Sequence, residues 1–288
     1  MRHGVATRFL HVGASPVLVR AWQGSDGRAL LRAEAVDPAR VSYRDPAGVI
    51  EPCPAGCEQL RVAIERMRFA LGVDDDLAEF QRRFRRDPLL GPLIRRMPGF
   101  RPRRRPWPWE ALASAVVKQL IEADRAAWIE RRIVGRWGPR LGDDPGALRD
   151  VPPAATIAGR APAELAAMDL APVRAAALRR LAREVAAGRC RIEETAADRR
   201  LLALPQVGPW TVQCLGLHGR GEMDSLPAGD LAYFKLVGRL AGLGRRATVP
   251  EVEEFYARFR PYRGLAGALS IAGLYRKVAQ GPPLRHAA

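Results

Sequence analysis

From Glu58 onward, apolar residues recur at helical spacing in short runs that stop and restart. This pattern excludes a sheet-dominated chain. Leu60, Ile64, Met67 and Leu71 fall at i, i+4, i+7 and i+11, and Gly72 is placed to end the run. Leu77, Phe80 and Phe84 repeat the pattern among Arg82, Arg83, Arg85 and Arg86. Further on, helices are expected from Glu110 to Gln119, Ala123 to Trp137, Pro172 to Ala187 and Pro209 to His218. Thr248-Val-Pro-Glu251 reads as a capping box ahead of Val252, Phe255 and Phe259. No internal repeat is visible, and no window approaches the ~20 apolar residues of a spanning helix.

The first 50 or so residues differ. Val17–Trp22 and Leu30–Ala35 are short runs bounded by turn residues, and Ser25-Asp26-Gly27 between them reads as a hairpin turn. The fold class expected is therefore α+β, a small β-rich N-terminal domain (1–73) followed by an all-α domain (74–288). Arg101-Pro-Arg-Arg-Arg-Pro-Trp-Pro-Trp109 reads as a basic, proline-rich joint, either a solvated linker or a phosphate contact backed by Trp107 or Trp109. Cys53, Cys57, Cys190 and Cys214 match neither a zinc ribbon nor an iron–sulfur cluster, so all four are expected to be free thiols. His3, His11, His218 and His286 are scattered and give a catalytic metal no support.

The 288 residues are 48% hydrophobic and 27% charged, which is ordinary for a globular protein and removes disorder as the default. The formal charge of +16 is not ordinary. It favours a polyanionic partner, nucleic acid first, although an acidic membrane surface also fits. The opening residues lack the apolar core and cleavage site of a signal peptide, so cytoplasmic, nucleoid-associated residence is the expectation.

Leu204-Pro-Gln-Val-Gly-Pro-Trp-Thr211 carries the most chemistry. It is a tight turn feeding a helix, with Gly208 able to take a positive φ and Pro209 pre-set for the first helical turn. Amides near Gly208, Trp210 and Thr211 would then point outward and form a phosphate cradle without a cationic side chain. Leu204 and Val207 are spaced to let a preceding helix pack against this one as a hairpin.

This segment resembles the hairpin of the helix-hairpin-helix DNA glycosylase superfamily, L-P-x-V-G-x-x-T-A. Leu204, Pro205, Val207, Gly208 and Thr211 are all in place, with Val212 where alanine is usual. The superfamily's catalytic aspartate follows about twenty residues on, after a proline-containing loop, and Leu226-Pro-Ala-Gly-Asp230 matches it. Bifunctional members carry a lysine where Trp210 stands, and tryptophan cannot form a Schiff base. With the β-rich N-terminal unit, the chain therefore resembles the 3-methyladenine DNA glycosylase II family. Pro162–Leu165, Arg174–Leu178 and Arg260–Arg263 extend the resemblance over roughly Pro106 to Tyr275.

The resemblance implies a monofunctional glycosylase of base excision repair, with two helical subdomains and a cleft between them. It would flip a damaged, alkylated base out of double-stranded DNA and hydrolyse its N-glycosidic bond. Asp230 would stabilise the oxocarbenium-like transition state; an aspartate before a helix is also a favoured N-cap, and both roles stand open. Trp210, Cys214 and Leu231 would line the base pocket, although Cys214 and Leu231 stand where relatives carry aromatics; Tyr233, Tyr262 or Tyr275 could restore that surface. Gln119-Leu120 would supply the wedge that fills the stack, unless Leu120 merely continues the stripe Leu112, Val116. Arg239 and Lys235, with Arg220, Arg245 and Arg246, would contact phosphates. No cofactor is implied beyond a Na+ or K+ on the carbonyls of Leu202, Leu204 and Val207, and a monomer is expected. The alternative is a helix-hairpin-helix DNA-binding protein without catalysis.

Overall fold

The computed structural model describes residues 4–42 and 54–279, with side chains through residue 274. Three antiparallel strands, β1 (Ala6–Val12), β2 (Ser15–Gln23) and β3 (Ala29–Ala35), form a meander in the order β1-β2-β3, with Leu10 opposite Val17 and Val19 opposite Ala33. The β2–β3 turn is where Ser25-Asp26-Gly27 placed it and is closed by Gly24 N–H to the Arg28 carbonyl at 2.8 Å. Helix α1 (Cys57–Leu71) lies on this sheet, and Leu10, Val17, Val19, Ala63 and Met67 form their shared core. Gly72 ends α1 with φ 64°, a left-handed position that glycine occupies without a Cβ penalty.

The helices build two further cores. The first holds α4 (Pro108–Lys118), α5 (Ala123–Trp137), α6 (Ala154–Ala158), α7 (Pro162–Ala166), α8 (Pro172–Ala186), α9 (Asp198–Leu202) and α10 (Pro209–Leu215). Its logic is visible in α5, where Ala126, Ile129, Ile133 and Trp137 are buried at helical spacing. The second core takes α2 (Ala78–Phe84) and α3 (Leu90–Arg96) from before the first, and α11 (Leu231–Leu240), α12 (Val249–Ala257) and α13 (Arg263–Ala279) from after it. Phe80, Phe84, Phe259 and Tyr262 lock it with ring centroids 5.3–6.5 Å apart. The chain thus leaves the second core, builds the first, and returns.

Two expectations need correction. The segment after residue 74 is not purely helical: β5 (Arg140–Leu141) pairs antiparallel with β4 (Val41–Ser42) and ties the N-terminal unit to the helical body. Nor is Arg101–Trp109 a solvated linker. Arg104 is buried, paired with Asp75 at 2.8 Å and stacked over Phe69, while Arg105 reaches the buried Glu110 at 2.9 Å. Glu110 also receives Arg8 from β1 at 2.8 Å, so the joint is pinned because its charges are paired on both sides. Cys57, Cys190 and Cys214 are free thiols; Cys53 lies outside the described residues. Among the described residues, no helix is long and apolar enough to cross a membrane.

Candidate active site

Helices α9 and α10 form the hairpin. Its turn is held by Leu204 N–H to the Leu201 carbonyl (3.0 Å) and Val207 N–H to the Leu204 carbonyl (3.1 Å). Leu201, Val207, Val212 and Leu215 anchor it in the first core, Leu204 packs at the edge, and Leu202 is exposed. The left-handed residue is Gln206 (φ 69°), not Gly208, which is extended at φ −101°, ψ 177°. The reason is Pro209: its ring forces the preceding residue into the extended region, so the reversal falls two residues earlier. Gly208 is glycine for another reason. A Cβ there would meet nothing within 4 Å, so the position faces open space at the start of α10.

Gln119 and Leu120 separate in role. Helix α4 ends at Lys118, and the Gln119 amide Nε2 donates to the Gln206 carbonyl (2.9 Å) and to Thr211 Oγ1 (3.0 Å), tying α4 to the hairpin. Leu120 follows with φ 56° and is 101% exposed. It does not continue the Leu112, Val116 stripe, because the chain leaves helical geometry at Gln119. Arg174 holds this shape by donating to the Gln119 carbonyl at 2.6 Å. A left-handed leucine costs stability of order 1–3 kcal/mol, and this one, wholly exposed, buries no apolar surface in return.

Asp230 stands at the start of α11, and its carboxylate accepts the Ala232 amide at 2.8 Å. The capping role is present and engages one of its two oxygens, leaving the other without that bond. Burial pushes its carboxyl above the usual aspartate range, against the Ala232 hydrogen bond and the Lys118 charge, which pull it down. The loop that delivers it is anchored by buried Leu226 and Ala228 in the second core. Trp210 stands against that loop: a Cβ on Gly229 would lie 3.4 Å from Trp210 Cβ and 3.5 Å from Cδ1. Cys214 is buried one turn on from Trp210, and desolvation, then the neighbouring Asp230 charge, keeps its thiol protonated. The hairpin belongs to the first core and Asp230 to the second, so the site lies where the two meet.

No protein-family model matches the chain. It is 29% identical over 230 residues to the "Probable bifunctional transcriptional activator/DNA repair enzyme AlkA" of Mycobacterium tuberculosis (strain CDC 1551 / Oshkosh), covering 78% of this chain and 45% of that protein. The chain therefore spans less than half the length of that relative. The DNA-3-methyladenine glycosylase of Bacillus subtilis (strain 168) is 24% identical over 200 residues, 67% of this chain and 66% of that one. Among solved structures, the 3-methyladenine DNA-glycosylase from Archaeoglobus fulgidus superposes with a TM-score of 0.76 at 21% identity, covering 94% and 87% of the two chains. The chain shares the fold of that DNA glycosylase.

Set against the superfamily pattern, the hairpin, Trp210 and Asp230 are brought together, whereas several secondary expectations are not met. Tyr233 is buried beside Tyr256 (5.7 Å between ring centroids), and the Tyr262 hydroxyl donates to Glu79 at 2.8 Å. Neither ring restores an aromatic wall, and the Tyr275 side chain lies outside the described residues. Leu231 is 40% exposed beside Asp230. Arg220 is buried between Asp198 (2.8 Å) and Glu222 (2.5 Å) and holds the fold, whereas Arg245 pairs with Glu251 at 2.6 Å at the surface. Lys235 and Arg239 remain half-buried on α11. Asp224, the carboxylate six residues before Asp230, is held by Arg263 at 2.6 Å. The residue that the sequence did not flag is Lys118. Its ammonium lies 3.8 Å from Glu130 on α5, and its charge pulls the Asp230 carboxyl down.

Proposed function

We propose that the chain is a monofunctional DNA glycosylase that flips a damaged base, alkylated bases included, from double-stranded DNA and hydrolyses its N-glycosidic bond. The observation that carries this reading is the half-buried Asp230 carboxylate beside Trp210, adjacent to a hairpin that is itself tied to an outward-pointing Leu120. Leu120 enters the stack vacated by the flipped base, which would account for a strained leucine in water. Hairpin amides at the start of α10 take a phosphate, and Lys235 and Arg239 add positive charge. The carbonyls of Leu202, Leu204 and Val207 are the atoms that would hold a monovalent cation there, that of Leu204 with the lone pair left over from the Val207 amide.

As the bond from C1′ to the base lengthens, positive charge develops on the sugar. Asp230, fixed by Ala232, stabilises that charge and takes the proton of the attacking water. Trp210 has no amine, so no Schiff base forms at the hairpin and the strand stays intact. The protein acts as a monomer wherever the cell keeps its DNA.

The test is to incubate the protein with a duplex carrying one damaged purine and to assay strand cleavage with and without hot alkali. Cleavage that needs alkali establishes base release without lyase action. Binding without base release from any lesion in a panel would leave only a DNA-binding protein.

Two variants probe the DNA-facing surface. Leu120→Ala is expected to slow base release about tenfold or more in single-turnover assays while leaving the melting temperature unchanged or raised, because the wedge serves only the kinked duplex. Gly208→Val is expected to fold normally, since its side chain meets open space, and to bind duplex about tenfold more weakly in a fluorescence-anisotropy titration, since it keeps a phosphate from the amides.

A further inference from the structure

A cavity of about 370 Å³ opens between β1, α4 and α5, and Asp230, Trp210, Cys214 and Leu231 take no part in lining it. Ligand sites run from ~300 to ~1,000 Å³ and benzene needs only ~150 Å³, so this one is sized for a fused-ring body. Trp109, Ala113 and Val117 from α4, with Ile133 and Val134 from α5, give it apolar walls. The Trp109 indole Nε1 donates to the Pro152 carbonyl at 3.0 Å, which pins the ring in the wall. The charge around it is lopsided. Arg8, Arg105, Arg131 and Arg149 line the cavity with only two carboxylates, Glu110 and Glu130. Both carboxylates are already engaged: Glu110 takes Arg8 at 2.8 Å and Arg105 at 2.9 Å, and Glu130 accepts the Ser114 hydroxyl at 2.5 Å with Arg105 3.4 Å away. Arg131 is exposed and has no hydrogen bond or ion pair among the described residues. The fold thus leaves one guanidinium unspent at the lip of an apolar cavity.

We propose that this cavity is a second binding site, separate from the one that holds Asp230, and that it takes a small aromatic acid. The fused-ring body lies against the α4 and α5 walls, and the carboxylate meets Arg131. Two gains add. Enclosing the rings removes apolar surface from water on both partners, and the planar guanidinium donates two parallel hydrogen bonds to a carboxylate. An uncharged aromatic molecule keeps the first gain and forgoes the second. A cationic one meets the surplus of arginines as a like charge. A DNA phosphate would use Arg131 but leave the apolar walls bare, so an acid on a ring body is the better match. The assignment stands whether or not the chain releases bases.

The probe is anilinonaphthalene sulfonate, whose sulfonate stands in for the carboxylate. It is titrated by fluorescence against the full chain, beside its uncharged counterpart phenylnaphthylamine. Wild type is expected to bind the sulfonate at one saturable site, about tenfold more tightly than the uncharged amine. Arg131→Gln is expected to bring the two affinities together, chiefly by weakening the sulfonate. Ala113→Trp and Ala127→Trp fill the cavity from α4 and from α5, and each is expected to abolish binding of both probes. Melting curves establish that the variants keep the fold, and either filling variant suffices if it melts as wild type does. Equal affinity for the two probes in wild type, binding that survives in a folded filling variant, or a sulfonate preference that survives Arg131→Gln would each overturn the assignment. So would the absence of binding by either probe.

Discussion

Asp230→Asn is expected to bind a lesion-bearing duplex as wild type does and to release its base about a thousandfold more slowly, the scale on which fixed charge and proton transfer act in such reactions. Asparagine is nearly isosteric and is itself a good N-cap, so the Ala232 amide keeps its acceptor and α11 keeps its start. What disappears is the negative charge beside C1′ and the base that takes the water's proton. The pH dependence carries the same signature. Burial raises the Asp230 carboxyl above its ordinary range, so the acid limb of the wild-type rate profile should lie higher than an exposed aspartate would give. Stability runs the opposite way. The fold disfavours the ionised carboxylate, so its cost is absent below the unfolded-state pKa and complete above the folded-state pKa. Asp230→Asn should therefore melt above wild type near neutral pH, with the difference vanishing in acid. A variant that loses base release and melts lower throughout would mark Asp230 as a cap alone.

The second large effect is on stability. Gly238 lies in α11, where the helix presses on the returning chain: a Cβ there would fall on the Arg245 carbonyl oxygen, well inside contact distance, with Ala247 N at 3.1 Å. Both obstacles are backbone, and Ala247 N–H is engaged with the Phe234 carbonyl at 3.0 Å, so neither can turn aside. Gly238→Val is expected to cost about 3 kcal/mol or more, read as a lowered midpoint in urea unfolding, and to reduce base release because α11 carries Asp230 at its head. Gly135→Ala supplies the contrast. Gly135 sits inside α5 with nothing within 4 Å of an added Cβ, so alanine should stabilise by about 0.5–1 kcal/mol. Equal effects at the two sites would show that helix propensity rather than packing governs both.

Local chemistry in the sequence determined a good deal. Apolar periodicity set α1 and α5, and the capping box at Thr248–Glu251 was legible because its bonds span three residues. Leu204–Thr211 announced a turn into a helix for the same reason, and Asp230 announced a helix start. Contacts between distant residues were decided only by tertiary structure. Leu120 matched a helical stripe by spacing, yet α4 stops at Gln119 because that amide bonds the hairpin 87 and 92 residues away, and Arg174 fixes the bulge from α8. The basic joint read as solvated because its partners, Asp75 and Phe69, lie far back in the chain. Arg220 read as a phosphate contact although Asp198 neutralises it across the fold. Lys118 had no signature at all, since a lysine ending a helix is ordinary until another helix, here α5 with Glu130, brings a carboxylate to it. Turns, caps and faces are short-range properties that a sequence states outright. Which charge is spent on the fold and which is left for a ligand depends on packing, and only the tertiary structure decides it.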